Sequence, residues 1–464
     1  MIKPKLHPLV KKVLLDPSNL SDLASANDGP TRVLFPQIMS ENISNLTAVL
    51  DNYDLRYSIQ FAHKASKSAT FIKQALKSDI GIDVASIAEL NHALDIGFSA
   101  PKISCTGPKN NSFLQLAINK GVLISLDSLS ELERLVFYVY DKCTPTKVNV
   151  LLRLSTLTTK TKKLLSQPTR FGISSNQLEK AYSIIQKHNL ITLKGFHYHR
   201  DGFDAPTKAE FAHELVRLLR ESRLYGHSPN IVNVGGSLRG VSLADSSDWT
   251  EYINYLCRKL KVNGDHETWG SNPYGMQLSI NGGIVGREKA LSLVSSEDAT
   301  SYMSTMLSTK VDSNYTLGTN LADSLTHLML EPGYALVFNA GITILKVIDL
   351  KQDELGNNYL VTNGNMYTLG TRMYEPLSDP IHISQGKLTA KSWKGYIVGN
   401  LCREDDFIMQ RKVTTSSEPK IGDLLIFPNT GAYADFEDTN PILQEKCLNY
   451  QCLIKGKNIN FSKD

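Results

Sequence analysis

The first two thirds of the chain alternate between short apolar runs and longer amphipathic stretches. In the run that begins the series, Tyr57, Ile59 and Phe61 alternate with smaller or polar residues, which is the pattern of a β-strand. Seven further runs are apolar and end at turn-forming or polar residues. The eight predicted strands are Tyr57–Ala62, Ile80–Val84, Lys102–Cys105, Val122–Leu126, Val148–Leu154, Leu193–His199, Ile231–Val234 and His327–Leu330.

Amphipathic segments between these strands predict helices, among them Ile87–Ile96, Leu129–Tyr140, Ser175–His188 and Lys208–Leu224. Eight strands that alternate with helices predict an α/β fold, a parallel (β/α)₈ barrel over 41–332, with an open doubly wound sheet as the alternative. The connection between the last two strands is longer than one helix requires. We therefore expect an insertion at about 249–323, which could act as a lid.

The pattern changes after Gly333, where strand-like runs alternate with Gly, Asn and Pro turns. This pattern predicts a separate, mostly β domain over 333–464, to which the N-terminal segment 1–40 could add a strand or helix. The strand-like segments are Ala335–Leu350, Tyr359–Thr362, Ile381–Ser384, Trp393–Val398, Asp423–Phe427 and Asn449–Ile454.

Composition narrows the class of protein. The chain has 464 residues, enough for two or three domains, and its 41% hydrophobic content can build large cores. Fifty basic against 46 acidic residues give a net charge of only +4, so neither nucleic acid nor an acidic membrane is an expected partner. The six cysteines form no CxxC pair, and no signal peptide or membrane-spanning run is visible, which favours the reducing cytoplasm.

Polar residues cluster where the predicted strands end. In a parallel barrel these ends converge on the face that carries active sites. The residues at or just beyond strand ends are Lys64, Asp83, Arg170, His199, Gly235, Gly236 and Glu331.

Several of these positions also have a structural interpretation. A lysine after a strand, as at Lys64, is most often a solvated loop residue, whereas a partly desolvated lysine can form a Schiff base with a carbonyl cofactor. Ser86 and Glu89 form a capping box pattern that could be wholly structural. Glu331 could belong to a simple exit turn, or its carboxylate could pair with a protonated ring nitrogen.

The histidines and glycines also have both a structural and a functional interpretation. His199 could be a satisfied core histidine, and His197 and His199 share a strand face, but no third metal ligand is evident, so no metal site is predicted. Gly235 and Gly236 could form an ordinary turn, or their backbone N–H groups could cradle a phosphate, with the Ser237 hydroxyl added. A reactive lysine, a phosphate cradle, a flat side chain and a carboxylate together fit pyridoxal phosphate (PLP).

At this point the chain resembles the fold-type III PLP-dependent decarboxylases, which include ornithine and diaminopimelate decarboxylases, from about Thr31 to Tyr433. The matching segments are Phe61–Ala65, Gly81–Ser86, Arg170–Gly172, His199, Gly235–Gly236, Glu331–Gly333, Gly399–Cys402 and Gly431–Tyr433. The resemblance implies a PLP-binding barrel followed by a β domain, and a homodimer whose active sites are shared between subunits.

The same resemblance implies a role for each matched residue. Lys64 would form the Schiff base, His199 would stack on the ring, and Glu331 would meet the pyridine nitrogen. Cys402 would enter from the partner subunit as proton donor. The remaining cofactor-binding residues would be Asp83, Arg170, Gly235, Gly236, Ser237, Gly333 and Tyr433, the last of which would reach the phosphate.

The chain also departs from the family. Ser237 replaces the third glycine of the phosphate loop, Asp201 and Gly202 stand where Gly-Ser is usual, and Tyr334 replaces an arginine. Arg403 and Asn363 lie where relatives commonly carry acids that meet a substrate's distal amine.

These departures direct the substrate prediction. Because these positions lack the negative charge that would bind a free distal amine, we expect a substrate whose distal amine is acylated. Arg403, Asn363 and Tyr334 are the residues predicted to contact this substrate. N-citryl-diamino acids of carboxylate siderophore pathways, such as N-citrylornithine, fit this expectation. The alternatives are decarboxylation of a free diamino acid (diaminopimelate, ornithine or lysine), an amino-acid racemase on the same fold, which Glu331 argues against, and a non-enzymatic relative, which the presence of Lys64 and Cys402 argues against.

Overall fold

The computed structural model describes residues 1–141, 147–157, 169–262, 264, 267–370, 375–386, 390–434, 442 and 444–464; Cys143 lies outside them. These residues form two compact units. The barrel unit consists of Ser40–Leu238 and Ala299–Leu336, and the sheet unit consists of Met1–Met39, Arg239–Asp298 and Val337–Asp464. Within the described residues, no helix is long and apolar enough to cross a bilayer.

The barrel unit is a closed barrel of eight parallel strands, as the sequence predicted. Each predicted strand lies within two residues of an observed strand at either end. The strands, numbered first to eighth below, are Arg56–Ala62, Gly81–Val84, Ile103–Cys105, Leu123–Leu126, Val148–Arg153, Ile191–His197, Ile231–Asn233 and His327–Leu330. The sixth strand ends at His197, so His199 lies in the loop beyond it.

Most of the barrel strands are apolar because both of their faces are covered. All four residues of Gly81–Val84 are buried, as a parallel strand packed on both sides requires. Side-chain caps begin several of the surrounding helices, such as Ser86 before Ile87–Ile96 and Asp204 before Ala205–Ser222. The helices with residues in this unit are Pro36–Asp51, Ala69–Lys77, Ile87–Ile96, Asn111–Lys120, Leu129–Asp141, Leu178–Gln186, Ala205–Ser222, Ala299–Ser308, Leu317–Asp323 and Tyr334–Val337.

The sheet unit is built around a nine-stranded sheet. Its strands are Thr31–Leu34, Gly341–Gln352, Asn358–Thr362, Ile381–Ile383, Trp393–Val398, Val413–Thr415, Leu424–Pro428, Leu448–Lys455 and Asn458–Lys463. Thr31–Leu34 pairs antiparallel with Gly341–Gln352, with Thr31 opposite Ile344, and parallel with Leu448–Lys455. The N-terminal segment therefore does supply a strand.

The predicted strand Ala335–Leu350 is wrong in its first part. Tyr334–Val337 is a helical turn and Phe338–Ala340 is a 3₁₀ turn, so the strand begins only at Gly341. A continuous apolar run does not by itself distinguish a buried strand from a buried helical turn.

Arg239–Asp298 groups with the sheet unit, although the sequence assigned this segment to the barrel. The indole Nε1 of Trp249, at the start of helix Ser247–Lys261, donates to Ala290 O at 2.9 Å. Trp249 belongs to an apolar cluster with Ile2, Leu243, Ile253, Leu256, Met276 and Ala290. Of the predicted insertion 249–323, residues 249–298 therefore belong to the sheet unit and residues 299–323 to the barrel unit. The role of the insertion as a lid stays a prediction.

The sheet unit also contains helices Pro8–Leu14, Ser18–Ser25 and Arg287–Leu291 and the short hairpin of Gln277–Leu278 with Ile284–Val285. Short 3₁₀ turns lie at His63–Ala65, Ala100–Lys102, Ser175–Gln177, Arg223–Tyr225 and Trp269–Ser271.

Candidate active site

Lys64 lies in the 3₁₀ turn His63–Ala65, directly after the first barrel strand, and its side chain is exposed. Its positive charge lowers the pKa of both Asp83 and Glu331, although burial raises each of them overall. The two acids come from the second strand and from the residue after the eighth. The lysine and both acids therefore face a common space at the carboxyl ends of the strands.

Glu331 is held between the seventh and eighth strands. Its side chain is 6% exposed, and its Oε1 accepts a hydrogen bond from Asn233 Nδ2 at 2.6 Å. Burial raises the pKa of Glu331 to about 7, and the negative charge of Asp83 adds to this effect. A carboxyl group near the midpoint of its titration at neutral pH can become ionised readily when a cationic ligand atom approaches.

His197 lies beside this carboxyl group. Its Nδ1 is 2.8 Å from Ser125 Oγ, and its Nε2 is 3.6 Å from Glu331 Oε2 without a hydrogen-bond partner. Burial, followed by the positive charge of Arg153, lowers the pKa of His197 well below its ordinary value, so the ring is neutral. A neutral imidazole held by Ser125 therefore lies beside the carboxyl group without a hydrogen bond to it and without neutralising its charge.

His199 is joined to the glycine pair. Its Nδ1 accepts the Gly236 N–H at 2.9 Å, and its Nε2 lies 3.6 Å from Asp201 Oδ1. Gly235 has φ +67°, and a Cβ at this residue would overlap the His199 ring. Only glycine can adopt this backbone at this distance from the ring.

The glycine loop, Gly235–Ser237, is not an open anion-binding cradle, because two of its three N–H groups already have hydrogen-bond partners in the chain. The Gly235 N–H donates to Asn233 Oδ1 at 2.8 Å, and the Gly236 N–H is taken by His199. Ser237 also has a positive φ, +64°, and its hydroxyl donates to Asp201. Of the three loop N–H groups, that of Ser237 alone has no partner within the described part of the chain.

Asp83 accepts hydrogen bonds from Ser104 Oγ and Thr106 Oγ1, both at 2.8 Å. Burial nevertheless raises its pKa to about 6. The two hydroxyl groups fix the direction of the carboxylate, so Asp83 provides a positioned negative charge beside Lys64.

The Glu331–Gly333 segment packs on the lysine turn. The Ala62 N–H donates to Pro332 O at 3.1 Å, and a Cβ at Gly333 would lie 2.9 Å from the Ala65 Cβ. Gly333 therefore supports the site by close packing of this segment.

Arg170 is placed differently from the residues above. Its guanidinium carbon lies 4.0 Å from the centre of the Phe171 ring, and Arg153 approaches the same ring at 4.5 Å. Arg153 also pairs with Asp127 at 3.3 Å. Arg170 is exposed, and cofactor contact by this residue stays a prediction.

The remaining predicted residues belong mostly to the sheet unit. Cys402 is exposed, and Arg403 makes a two-pronged ion pair with Asp405 at 2.8 and 2.7 Å. Asn363 is buried, with Nδ2 bonded to the carbonyls of residues 28 and 29 and Oδ1 accepting from the amide of residue 346. These contacts give Asn363 a structural role.

Tyr433 has an unusual backbone, with φ +53°. Tyr334 begins the helical turn Tyr334–Val337. Contact of Tyr433 with phosphate and of Tyr334 with substrate stay predictions.

The residues of the barrel site fit PLP. The exposed Lys64 amine, the buried Glu331 carboxyl group and the flat His199 ring are groups of the kinds that this cofactor requires. His197, His199 and Glu331 also have ligand atoms within 4.8 Å of one another, so Glu331 lies close enough to the two histidines to complete a set of three candidate ligands that the sequence did not reveal. A metal ion there would compete with PLP for the same three side chains.

Sequence reasoning missed the residues that position the site. Asn233 bonds both Glu331 and Gly235, and Ser125 orients His197. A weak signal for Asn233 was its place at the end of an apolar strand, two residues before the glycine pair. No local pattern marks Ser125, because its partner is 72 residues away.

Comparison with known proteins agrees with this chemistry. Residues 39–268 match the family model for the pyridoxal-dependent decarboxylases, pyridoxal binding domain. The chain is 26% identical over 423 residues to the uncharacterized protein y4yA of Sinorhizobium fredii, covering 89% of this chain and 85% of the relative. It is 25% identical over 434 residues to diaminopimelate decarboxylase of Staphylococcus aureus, covering 91% and 88%.

Solved structures show the same fold. The diaminopimelate decarboxylase from M. jannaschii, in co-complex with L-lysine, has a TM-score of 0.67 and 18% identity and covers 95% of this chain and 91% of its own. The arginine decarboxylase of Paramecium bursaria Chlorella virus has a TM-score of 0.63 and 17% identity, with 94% and 99% covered. The matched segment 39–268 contains seven of the eight barrel strands, and a diaminopimelate decarboxylase aligns along 91% of the chain, so we conclude that this chain is a PLP-dependent amino-acid decarboxylase similar to the diaminopimelate and arginine decarboxylases.

Proposed function

We propose that this decarboxylase removes the α-carboxylate of an amino acid whose distal end is acylated or anionic. The proposed substrate is an N-citryl-diamino acid, such as N-citrylornithine, in carboxylate siderophore biosynthesis. The observation that carries the proposal is Arg403, which stands where the resembled family commonly has an acid. An unmodified substrate ammonium beside a guanidinium would be repelled, whereas a carboxylate can be bound bidentately.

The barrel site supplies the groups for the proposed reaction. Bound PLP supplies the electron sink when the bond to the carboxylate breaks. Lys64 would hold the cofactor, and Glu331 would hold a proton at the pyridine nitrogen. The hydrogen bond from Asn233 holds the glutamate in place, and the His199 ring would lie against the cofactor.

Cys402 is the proposed proton donor to the α-carbon, acting in a cytoplasmic homodimer with shared sites. If Cys402 reaches the site from a partner subunit, inactive Lys64→Ala and inactive Cys402→Ala proteins should complement each other when mixed. Half of the randomly exchanged dimers would be hybrids with one intact site of two, so about a quarter of the wild-type activity should return. Subunit exchange confirmed by mass spectrometry without any recovery of activity would contradict a shared site.

The ion pair of Arg403 with Asp405 supports a second candidate function. Because Asp405 neutralises the guanidinium, the local charge at this position is smaller than the sequence implied. A free diamino acid would meet less repulsion there than an unpaired arginine would cause. Decarboxylation of a free diamino acid (diaminopimelate, ornithine or lysine) or of arginine is therefore the alternative, and diaminopimelate and arginine decarboxylases are among the relatives of this chain.

A competition assay distinguishes the two candidates. Purified holoenzyme is given equimolar free and N-citryl forms of ornithine, lysine and diaminopropionate, with free diaminopimelate and arginine added, and each decarboxylated product is quantified. The proposal expects the citryl forms to be preferred and Arg403→Glu to reverse the preference.

Asp405→Asn is the matched variant, because it removes the partner and leaves the arginine. It should strengthen the preference for citryl forms, since the guanidinium is then unpaired. A preference for free diamino acids that neither variant alters would reject the proposed substrate and favour the alternative.

A further inference from the structure

Lys208 is a buried lysine beneath the glycine loop. It lies in the first turn of helix Ala205–Ser222, is 5% exposed, and donates a hydrogen bond from Nζ to Gly236 O. Lysine is rarely buried without a paired charge. The position of Lys208 therefore calls for a physical reason.

The ammonium group of Lys208 has no counter-charge in contact. Within the described residues, no carboxylate lies at ion-pair distance from its Nζ, which lies 5.9 Å from the centre of the Tyr302 ring. Burial lowers the pKa of Lys208 to about 8, while the more distant charges of Asp201 and Glu331 raise it. A buried cation that is only partly compensated favours an anion nearby.

The hydrogen bond to Gly236 sets the direction of the next peptide group. In a planar trans peptide the carbonyl and the following N–H point in opposite directions. Because Gly236 O faces Lys208, the Ser237 N–H points away from the lysine. This is the loop N–H that lacks a partner, and the positive φ of Ser237 costs strain that the Lys208 contact can offset.

We propose that Lys208 is a positioning residue for the phosphate group of PLP. It holds the Gly236–Ser237 peptide so that the Ser237 N–H is directed at the phosphate, and its charge offsets that of the phosphate through the loop. The segment after Glu331 has Tyr334 where the resembled family has an arginine, so one cation of that segment is absent from this chain. This inference depends on the cofactor and is independent of the proposed substrate.

Cofactor binding by the apoprotein tests the proposal. Wild type, Lys208→Met and Lys208→Arg are each titrated with PLP and with pyridoxal, which lacks the phosphate, and binding is followed by visible absorbance. Lys208→Met should weaken PLP binding about tenfold or more and pyridoxal binding by about twofold or less, while Lys208→Arg keeps most of the PLP affinity. Lys180→Met, which removes an exposed lysine paired with Glu133, is the control and should change neither affinity.

Equal losses for both ligands, or an unchanged PLP affinity in Lys208→Met, would overturn the proposal. Amide hydrogen exchange in the wild type gives a second measurement that needs no variant to fold. A peptide that covers Gly236–Leu238 should be protected by PLP more than by pyridoxal at equal saturation. Equal protection by the two ligands would reject a phosphate contact at the Ser237 N–H.

Discussion

Two lysine–glutamate sets in the barrel unit differ in how their charges are arranged. Lys109 and Glu131 form a buried ion pair at 2.8 Å, with side chains 0% and 2% exposed, and Lys109 Nζ also donates to the carbonyls of Gly107 and Ser125. Lys64 is exposed, makes no ion pair within the described residues, and faces the same space as the buried Glu331.

This difference distinguishes charged groups that stabilise the fold from charged groups that are available to bind a cofactor. The Lys109 pair has its hydrogen bonds satisfied inside the chain, so no ligand is needed to balance it. Glu331 has an amide and a neutral imidazole as neighbours, and Lys64 is left available for reaction. A site that must bind a charged, reactive cofactor keeps its own charges apart until that cofactor binds.

Removing Lys64 should have the largest effect. Lys64→Ala should lose the covalent, borohydride-reducible attachment of PLP and lower kcat by about a thousandfold or more, because this amine is the proposed point of attachment. The fold should remain, since the side chain is exposed. Mass spectrometry after reduction locates the attachment site, and a reducible adduct in the variant would show that another amine holds the cofactor.

Removing Lys109 should instead damage the fold. Lys109→Met leaves Glu131 buried, with the backbone N–H of residue 109 as its one remaining donor among the described residues, and should lower the free energy of unfolding by about 3–5 kcal/mol. Chemical denaturation of the apoprotein measures this loss. The exposed Lys180→Met should cost about 1 kcal/mol or less, and a similar small cost at Lys109 would remove the contrast between the two lysines.

Glu331→Gln should lower kcat by roughly a hundredfold while the fold and much of the PLP binding remain. The amide can still accept from Asn233, but it cannot hold the pyridine nitrogen protonated. Single-turnover kinetics with saturating PLP measures the effect. Near-normal turnover would refute an electronic role for this carboxylate.

The pH dependence of apoprotein stability gives the smallest expected effect. The pKa of Glu331 is about 7 in the folded chain and near 4.5 when unfolded, so its protonated form favours folding and this stability is lost as pH rises towards 7. Between pH 5 and pH 7, wild type should lose about 2 kcal/mol relative to Glu331→Gln. Glu133→Gln, at an exposed pair, should show no such gap, and parallel wild-type and Glu331→Gln curves would mean that Glu331 is not buried as described.

The sequence predicted the barrel well because most of the strands are buried on both faces and read as short apolar runs, while the first strand shows an alternating pattern. The same signal failed at Ala335, where a buried helical turn is just as apolar as a strand. The sequence did not predict that Arg239–Asp298 groups with the sheet unit, because the apolar core of this segment includes Ile2, which is more than 200 positions earlier in the chain.

Within the site, residue types at strand ends located Lys64, Asp83, His199 and Glu331, since topology alone brings strand ends together. Their partners were not predictable in this way. Whether Asn233 or Ser125 faces a given side chain depends on strand register, and Lys208 reaches the loop from a helix whose sequence shows only an amphipathic pattern.

Gly333 shows that the site also depends on the absence of a side chain at one position. A single methyl group at this position would lie 2.9 Å from the Ala65 Cβ and 3.1 Å from the Ala62 Cβ, inside the contact distance of two carbons. Mutational drift at Gly333 would therefore separate the reactive amine from its acid without altering either, and a protein could lose its reaction while every catalytic residue was preserved. We therefore expect the small size of residue 333 to matter for activity, although this residue has no side chain that could take part in the reaction.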